Sequence, residues 1–111
     1  MSTRLPGAKY KRIFDRGRSV RGRLLVAWYL RSSDAGNQAG VVVSKKSFHN
    51  AVDRNRAKRL LREAFRLECP GFASDVDWIL IGRSSLGDKR CGEVRDELRY
   101  LVRKAGCLAE K

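Results

Sequence analysis

The sequence predicts an α+β or α/β sandwich, a small sheet covered by helices, and three observations point to it. Two apolar runs rich in β-formers, Leu24–Leu30 and Val76–Gly82, are too short for ordinary helices. Two longer segments carry apolar residues at helical spacing, one from about Ala51 to Leu67 and one through Cys91, Val94, Leu98, Leu101, Val102 and Ala105. Strand and helix alternate after Val41, so a strand, a crossover helix and a further strand can form a parallel pair within a mixed sheet. A right-handed crossover is the general expectation for such a unit.

The elements follow in order. Lys9 to Asp15 reads as a short helix, with Pro6-Gly7 before it, Gly17 after it, and Tyr10 and Phe14 four apart on one face. Val20 begins a first strand, and Arg23 to Leu30 is the next. Ser32 to Gly40 is a polar turn, after which Val41-Val42-Val43 pairs back as the second arm of a hairpin. Asn50 caps the following helix, and Asp53 places a carboxylate in its first turn, where the helix dipole favours it. That helix stops before Pro70-Gly71. Trp78 is read as core, and so is Cys91 at the head of the last helix, while Asp75 and Asp77 at a strand start could bind an ion but are read as edge-strand carboxylates that serve solubility.

Residues 1–111 are expected to form a single RNA-binding domain: the length suits one core, and no repeat, linker or composition break divides it. Twenty-five Lys and Arg against 12 Asp and Glu leave a net charge of +13. Such a field favours polyanions, and because the cations run through the whole chain, nucleic acid fits better than a membrane surface. No apolar run approaches a bilayer span, and Met1 to Pro6 lacks the apolar middle of a signal peptide, so a cytoplasmic location is expected. Three cysteines, odd in number and far apart, read as reduced thiols.

The densest charge lies between Ser44 and Arg66, with eight cations against Asp53 and Glu63. On a helical wheel Ala57, Leu60, Leu61, Ala64 and Phe65 fall together, while Asn55, Lys58, Arg59, Arg62 and Arg66 fall opposite. One face packs and the other meets phosphate. Arg54 and Arg56 flank the apolar stripe, and Asn55 between them suits a base edge or a ribose hydroxyl. A charged helix face is often no more than solvated, but these cations are Arg-rich and nearly unopposed by carboxylates at i,i+4.

Tyr10, Phe14 and Trp28 or Tyr29 could form a stacking platform for unpaired bases, flanked by Lys9, Lys11, Arg12 and Arg16; aromatics at such spacing serve equally well as core. No catalytic constellation is evident. His49 is the sole histidine and has no Cys or carboxylate pattern around it that would make a triad, a zinc site or a two-metal cluster, which leaves it as an RNA contact or a loop residue.

Ala51-Val52-Asp53-Arg54-Asn55-Arg56-Ala57-Lys58-Arg59-Leu60-Leu61-Arg62-Glu63-Ala64-Phe65 closely resembles the Arg-Asn-Arg signature helix of the bacterial ribonuclease P protein family. Val41-Val42-Val43-Ser44-Lys45-Lys46 resembles the strand leading into it, Tyr10 to Gly17 the opening helix, and Trp78 to Arg83 the later strand. The resemblance implies a mixed four-stranded sheet with three helices, similar to the second domain of ribosomal protein S5, and a left-handed crossover in place of the usual hand. It also implies a protein subunit that binds a catalytic RNA and the single-stranded 5′ leader of precursor tRNA, assisting removal of that leader. Mg²⁺ held mainly by the RNA would do the hydrolysis, and no protein residue would be catalytic. Carried over by motif, the catalytic RNA would be met by Lys45, Lys46, Arg54, Asn55, Arg56, Lys58, Arg59 and Arg62. The leader would be met by Tyr10, Phe14 and Trp28, with Lys9 and Arg12 beside them.

Two other classes compete. A ribosomal or other structural RNA-binding protein needs the same basic face, and the Arg-Asn-Arg helix in its context argues against it. An autonomous nuclease would need clustered carboxylates or a histidine pair.

Overall fold

The structure, a computed structural model, describes residues 3–109, so Met1 and Ser2 at the start of the sequence lie outside the described residues. A 3₁₀ turn at Gly7–Lys9 leads into α1 (Tyr10–Arg16), and β1 (Arg18–Arg21), β2 (Leu25–Arg31) and β3 (Ala39–Val42) follow. Then come α2 (Ala51–Glu68), β4 (Val76–Gly82) and α3 (Cys91–Ala105). The four strands form one mixed sheet in the order β1-β2-β4-β3, antiparallel except for the parallel β3–β4 pair.

The expected hairpin between β2 and β3 does not form. β4 lies between them, pairing with β2 on one side and β3 on the other. Its residues Val76-Asp77-Trp78-Ile79-Leu80 are buried on both faces of the sheet, so apolar side chains in both directions favour a central place over an edge. The polar segment after β2 crosses the end of β4 and is tied there: Ser32 N–H donates to the Asp75 carbonyl (3.0 Å), and Trp78 N–H donates to the Gln38 carbonyl (2.8 Å). Asp75 and Asp77 are accordingly not on an edge strand. Asp77 is 3% exposed, and Asp75 pairs with Arg31 (2.7 Å).

Each face of the sheet buries a different cluster. Leu25, Ala27, Trp78 and Leu80 meet Leu61, Ala64 and Phe65 of α2 and Val94, Leu98, Leu101 and Val102 of α3 in the main core. α1 covers part of the other face, where Ile13 packs with Leu5 and Ile79 in a much smaller cluster. Helix α2 starts where Asn50 Oδ1 accepts the Val52 N–H (2.8 Å), the cap expected from its side chain. α3 ends at Gly106, whose φ of 75° is left-handed and whose N–H donates to the Arg103 carbonyl (3.0 Å).

All three cysteines are free, and the core thiol is Cys107, 1% exposed, rather than Cys91, which is only half-buried in the first turn of α3. A helix's first turn projects beyond the sheet it packs on, whereas the chain after Gly106 folds back over the main core. Burial raises the thiol pKa of Cys107 and of Cys69, so both stay protonated at neutral pH.

One carboxylate joins α3 to the sheet. Glu97 accepts the backbone N–H groups of Arg23 (2.7 Å), Leu24 (2.8 Å) and Leu25 (3.0 Å) in the β1–β2 turn, three donors that the tight turn leaves without strand partners. Glu97→Ala is expected to lower unfolding free energy by about 2–4 kcal/mol, measured in urea, because those donors lose a charged acceptor together. A cost under about 0.5 kcal/mol would mean that water replaces the carboxylate without penalty.

Candidate nucleic-acid interface

The chain between β3 and α2 is shaped to present cations. Phe48 is buried as a plug in the main core, while Ser44 Oγ accepts the Ser47 N–H (3.1 Å) and closes a turn on which Lys45 and Lys46 are exposed. Arg54 reaches back to donate to the Phe48 (2.9 Å) and His49 (3.1 Å) carbonyls, fastening this approach to the first turn of α2. Arg56 reaches the other way, to the Gly87 carbonyl and the Lys89 carbonyl (3.5 Å). The two arginines thus brace α2 against the loops on either side, keep their charge, and hold Asn55 exposed between them.

Asn55, Lys58, Arg59 and Arg62 line a groove of about 500 Å³ that α2 forms with Ala39 and Val41 of β3. Lys58, Arg59 and Arg62 have no carboxylate partner among the described residues. The groove's own acid, Glu63, is occupied by Arg66, whose Nε donates to it at 3.1 Å. The hydrogen bond and charge of Arg66 hold the Glu63 carboxyl below the usual carboxylate range, so it stays ionised and satisfied and does not quench the neighbouring row. Lys45, Lys46, Arg54, Asn55, Arg56, Lys58, Arg59 and Arg62 therefore sit on one continuous stretch of turn and helix. The apolar stripe opposite is as expected, with Leu60 only half-buried at its margin.

The aromatic residues gather on the other sheet face. Phe14 is 38% exposed and meets half-buried Trp28 edge to face, centroids 5.4 Å apart at 72°. Half-buried Leu30, Val42 and Ile81 extend an apolar bed around them. Tyr10 lies over β3: a Cβ on Gly40 would meet its hydroxyl at 2.1 Å, so only glycine lets the ring settle there. Tyr10 also shares a recess with Gly40 and Arg62, which connects the aromatic face to the α2 groove around the β3 edge. Tyr29 packs on Trp78 in the main core, on the opposite face from Trp28.

Lys9 and Arg12 are turned toward acids. Lys9 Nζ bonds Asp77 (3.0 Å) and the Asp34 carbonyl (2.8 Å), while Arg12 makes a forked contact with Asp34 (3.2 and 3.0 Å). The Asp34 carboxyl is held below its usual range, first by the Ser32 hydroxyl and then by Arg12. These pairs dock α1 beside the bed. Sequence reasoning passed over Arg21 and Val26, which face each other across β1 and β2; since alternate residues of a strand share a face, Val26 and hence Arg21 stand on the Trp28 side. The signal was available in the alternation of β2 but needed the strand register to read it. His49 is exposed, and its carbonyl serves Arg54. Among the described residues no three His, Cys, Asp or Glu side chains converge as a metal-binding group, and no helix is long and apolar enough to cross a membrane.

Asp77→Ala should cost about 2–4 kcal/mol in chemical denaturation, since it removes the acceptor of the Lys9 ammonium and of two backbone N–H groups. Lys9→Met should cost clearly less, because those two N–H groups keep their carboxylate. Equal costs would show that the backbone contacts of Asp77 contribute nothing.

Comparison with known proteins gives a consistent result. A family model for ribonuclease P matches residues 5–106. The ribonuclease P protein component of Pelotomaculum thermopropionicum is 36% identical over 96 residues, covering 86% of this chain and 85% of its own length. The solved RNase P protein of Staphylococcus aureus superposes with a TM-score of 0.81 at 28% identity, covering 98% of this chain and 100% of its own. That of Thermotoga maritima gives 0.79 at 26% identity over 91% and 96%.

Proposed function

Since the chain belongs to the ribonuclease P protein family, we propose that residues 1–111 act in the cytoplasm as one RNA-binding domain. It seats the catalytic RNA subunit on the α2 face and the 5′ leader of precursor tRNA on the α1–sheet face. The single observation that carries this reading is the groove row of Lys58, Arg59 and Arg62, cations without carboxylate partners on a helix whose other side is locked into the core. A cationic row that pairs with nothing internal is costly through self-repulsion and is relieved by a polyanion.

The two basic-motif arginines shape the site as much as they meet RNA. With Arg54 and Arg56 fixing both flanks of α2, Asn55, Lys58, Arg59 and Arg62 are presented on a rigid helix, so less backbone entropy is lost on binding. Lys45 and Lys46 extend the cationic surface beyond the helix. On the other face, the Phe14–Trp28 pair and its apolar surround offer unstacked bases an area to lie on, which suits a single strand and not a duplex. Mature tRNA lacks the leader and would lose only this second contact.

Mg²⁺ is assigned to the RNA subunit. Among the described residues the least exposed acids, Asp77 and Glu68, are taken up by cations, and no three acids converge as the oxygen set that Mg²⁺ requires. The protein's part is binding energy: bringing two polyanions together is eased when phosphates are neutralised, more strongly at low salt.

The test separates the two faces. Lys58→Ala combined with Arg62→Ala should weaken association with the catalytic RNA by about tenfold and reduce the salt dependence of log K by about 1.5. Phe14→Ala should leave that association alone and weaken precursor binding by about 1–2 kcal/mol relative to mature tRNA. Loss of equal size for precursor and mature tRNA with Phe14→Ala would remove the leader assignment, and unchanged assembly with the double variant would remove the α2 assignment.

A further inference from the structure

Carboxylates are shared unevenly among the arginines. Arg12, Arg31, Arg66, Arg95 and Arg99 each meet an Asp or Glu. Residues 16–23 read Arg-Gly-Arg-Ser-Val-Arg-Gly-Arg, four arginines and no acid. All four are exposed, and among the described residues none of their guanidinium groups has a partner. Acids lie close by, since Glu93, Asp96 and Glu97 line the same hollow as Arg21 and Arg23, but each is engaged elsewhere. Glu97 holds the turn's N–H groups, Glu93 accepts the Arg90 N–H, and Asp96 pairs with Arg99.

Arg16 and Arg21 rim one side of the aromatic face, and Arg18 and Arg23 carry the charge around the β1 edge. β1 is the edge strand farthest from β3, and its register sets Ser19 opposite Trp28 and Arg21 opposite Val26, on the face that carries Phe14. Arg16 ends α1, and Arg23 stands in the turn fixed by Glu97. Arg18 stands on the other side of the strand, so the charge wraps around the edge. Lysine or arginine on an edge strand commonly guards against unwanted pairing, and one such residue within the strand serves that purpose. Guarding explains neither Arg16 and Arg23 outside the strand nor the diversion of the three acids that share a hollow with Arg21 and Arg23.

We propose that this arginine rim binds the phosphates of the distal part of the RNA leader, beyond the bases resting on the Phe14–Trp28 bed. The inference rests on the leader reading above and gives it a direction: the strand enters from the α2 edge of the sheet and leaves across β1. Arginine suits the task because its fork meets phosphate oxygens in pairs and its plane stacks on bases. The contact is electrostatic and indifferent to sequence, so its strength grows with leader length up to the reach of the rim.

The reconstituted holoenzyme tests this with precursor tRNAs carrying leaders of about four and about ten nucleotides. The protein variants are R16Q/R18Q/R21Q/R23Q, the same four positions as lysine, and Phe14→Ala. The glutamine variant should bind the long-leader precursor on the order of tenfold more weakly, with the salt slope reduced by about 2–3, and bind the short-leader precursor unchanged. The lysine variant should keep most of the long-leader affinity, which separates lost charge from lost structure. Equal losses on both leaders, or none on either, would overturn the rim while leaving the bed intact if Phe14→Ala still weakens precursor binding. If Phe14→Ala has no effect on either precursor, the leader reading itself falls.

Discussion

A single carboxylate, Asp77, organises the half of the molecule that faces away from α2 and α3. One of its oxygens accepts the Gly36 (3.0 Å) and Gln38 (3.2 Å) N–H groups, and the other meets the Lys9 ammonium (3.0 Å). A charge at 3% exposure is costly unless its lone pairs are filled, and here three donors from two separate segments fill them. The first two bend the β2–β3 connection across the end of β4, which lets β4 take the centre of the sheet. The third pins the start of α1. Sheet order and helix docking therefore depend on the same buried group.

The two faces created in this way have different physics. On the α2 side the decisive feature is what the acids leave alone: Glu63 is taken by Arg66 and Glu68 by Arg95 and Arg99, so Lys58, Arg59 and Arg62 keep their full charge. On the α1 side the cations nearest the helix start are neutralised, and an apolar aromatic surface is left open. One face is a long-range cationic field, and the other is a short-range apolar surface.

Helices were far more legible in the sequence than strand pairing. α2, with its Asn50 cap, its apolar stripe and its cationic row, could be read from one segment because every interaction that defines a helix lies within four residues. The place of β4 could not, since it depends on Asp77 meeting a loop some forty positions earlier. The same distance effect hid the fates of Lys9 and Arg12, read as leader contacts from their neighbours in sequence, although their partners Asp77 and Asp34 lie far along the chain. Cys91 fell on the apolar stripe of α3 but at its open end, while Cys107, off any periodic pattern, became core because Gly106 turns the chain back. Local pattern gave three helices and three or four strands, and the family resemblance set the number of strands at four.

The difference in size between the two apolar clusters has a dynamic consequence. α1 has seven residues, too few to be helical alone, and it is anchored by one fully buried side chain, Ile13, together with surface-reaching ion pairs. Local opening free energy scales with buried contacts, so this helix detaches and recloses more readily than α2 and α3, whose core stays shut. Amide protons of α1 will exchange with solvent before those of α2, and an occupant lying between Phe14 and the sheet would slow that exchange without altering the core. The open aromatic surface is thus itself hinged, and occupancy and order would rise together there.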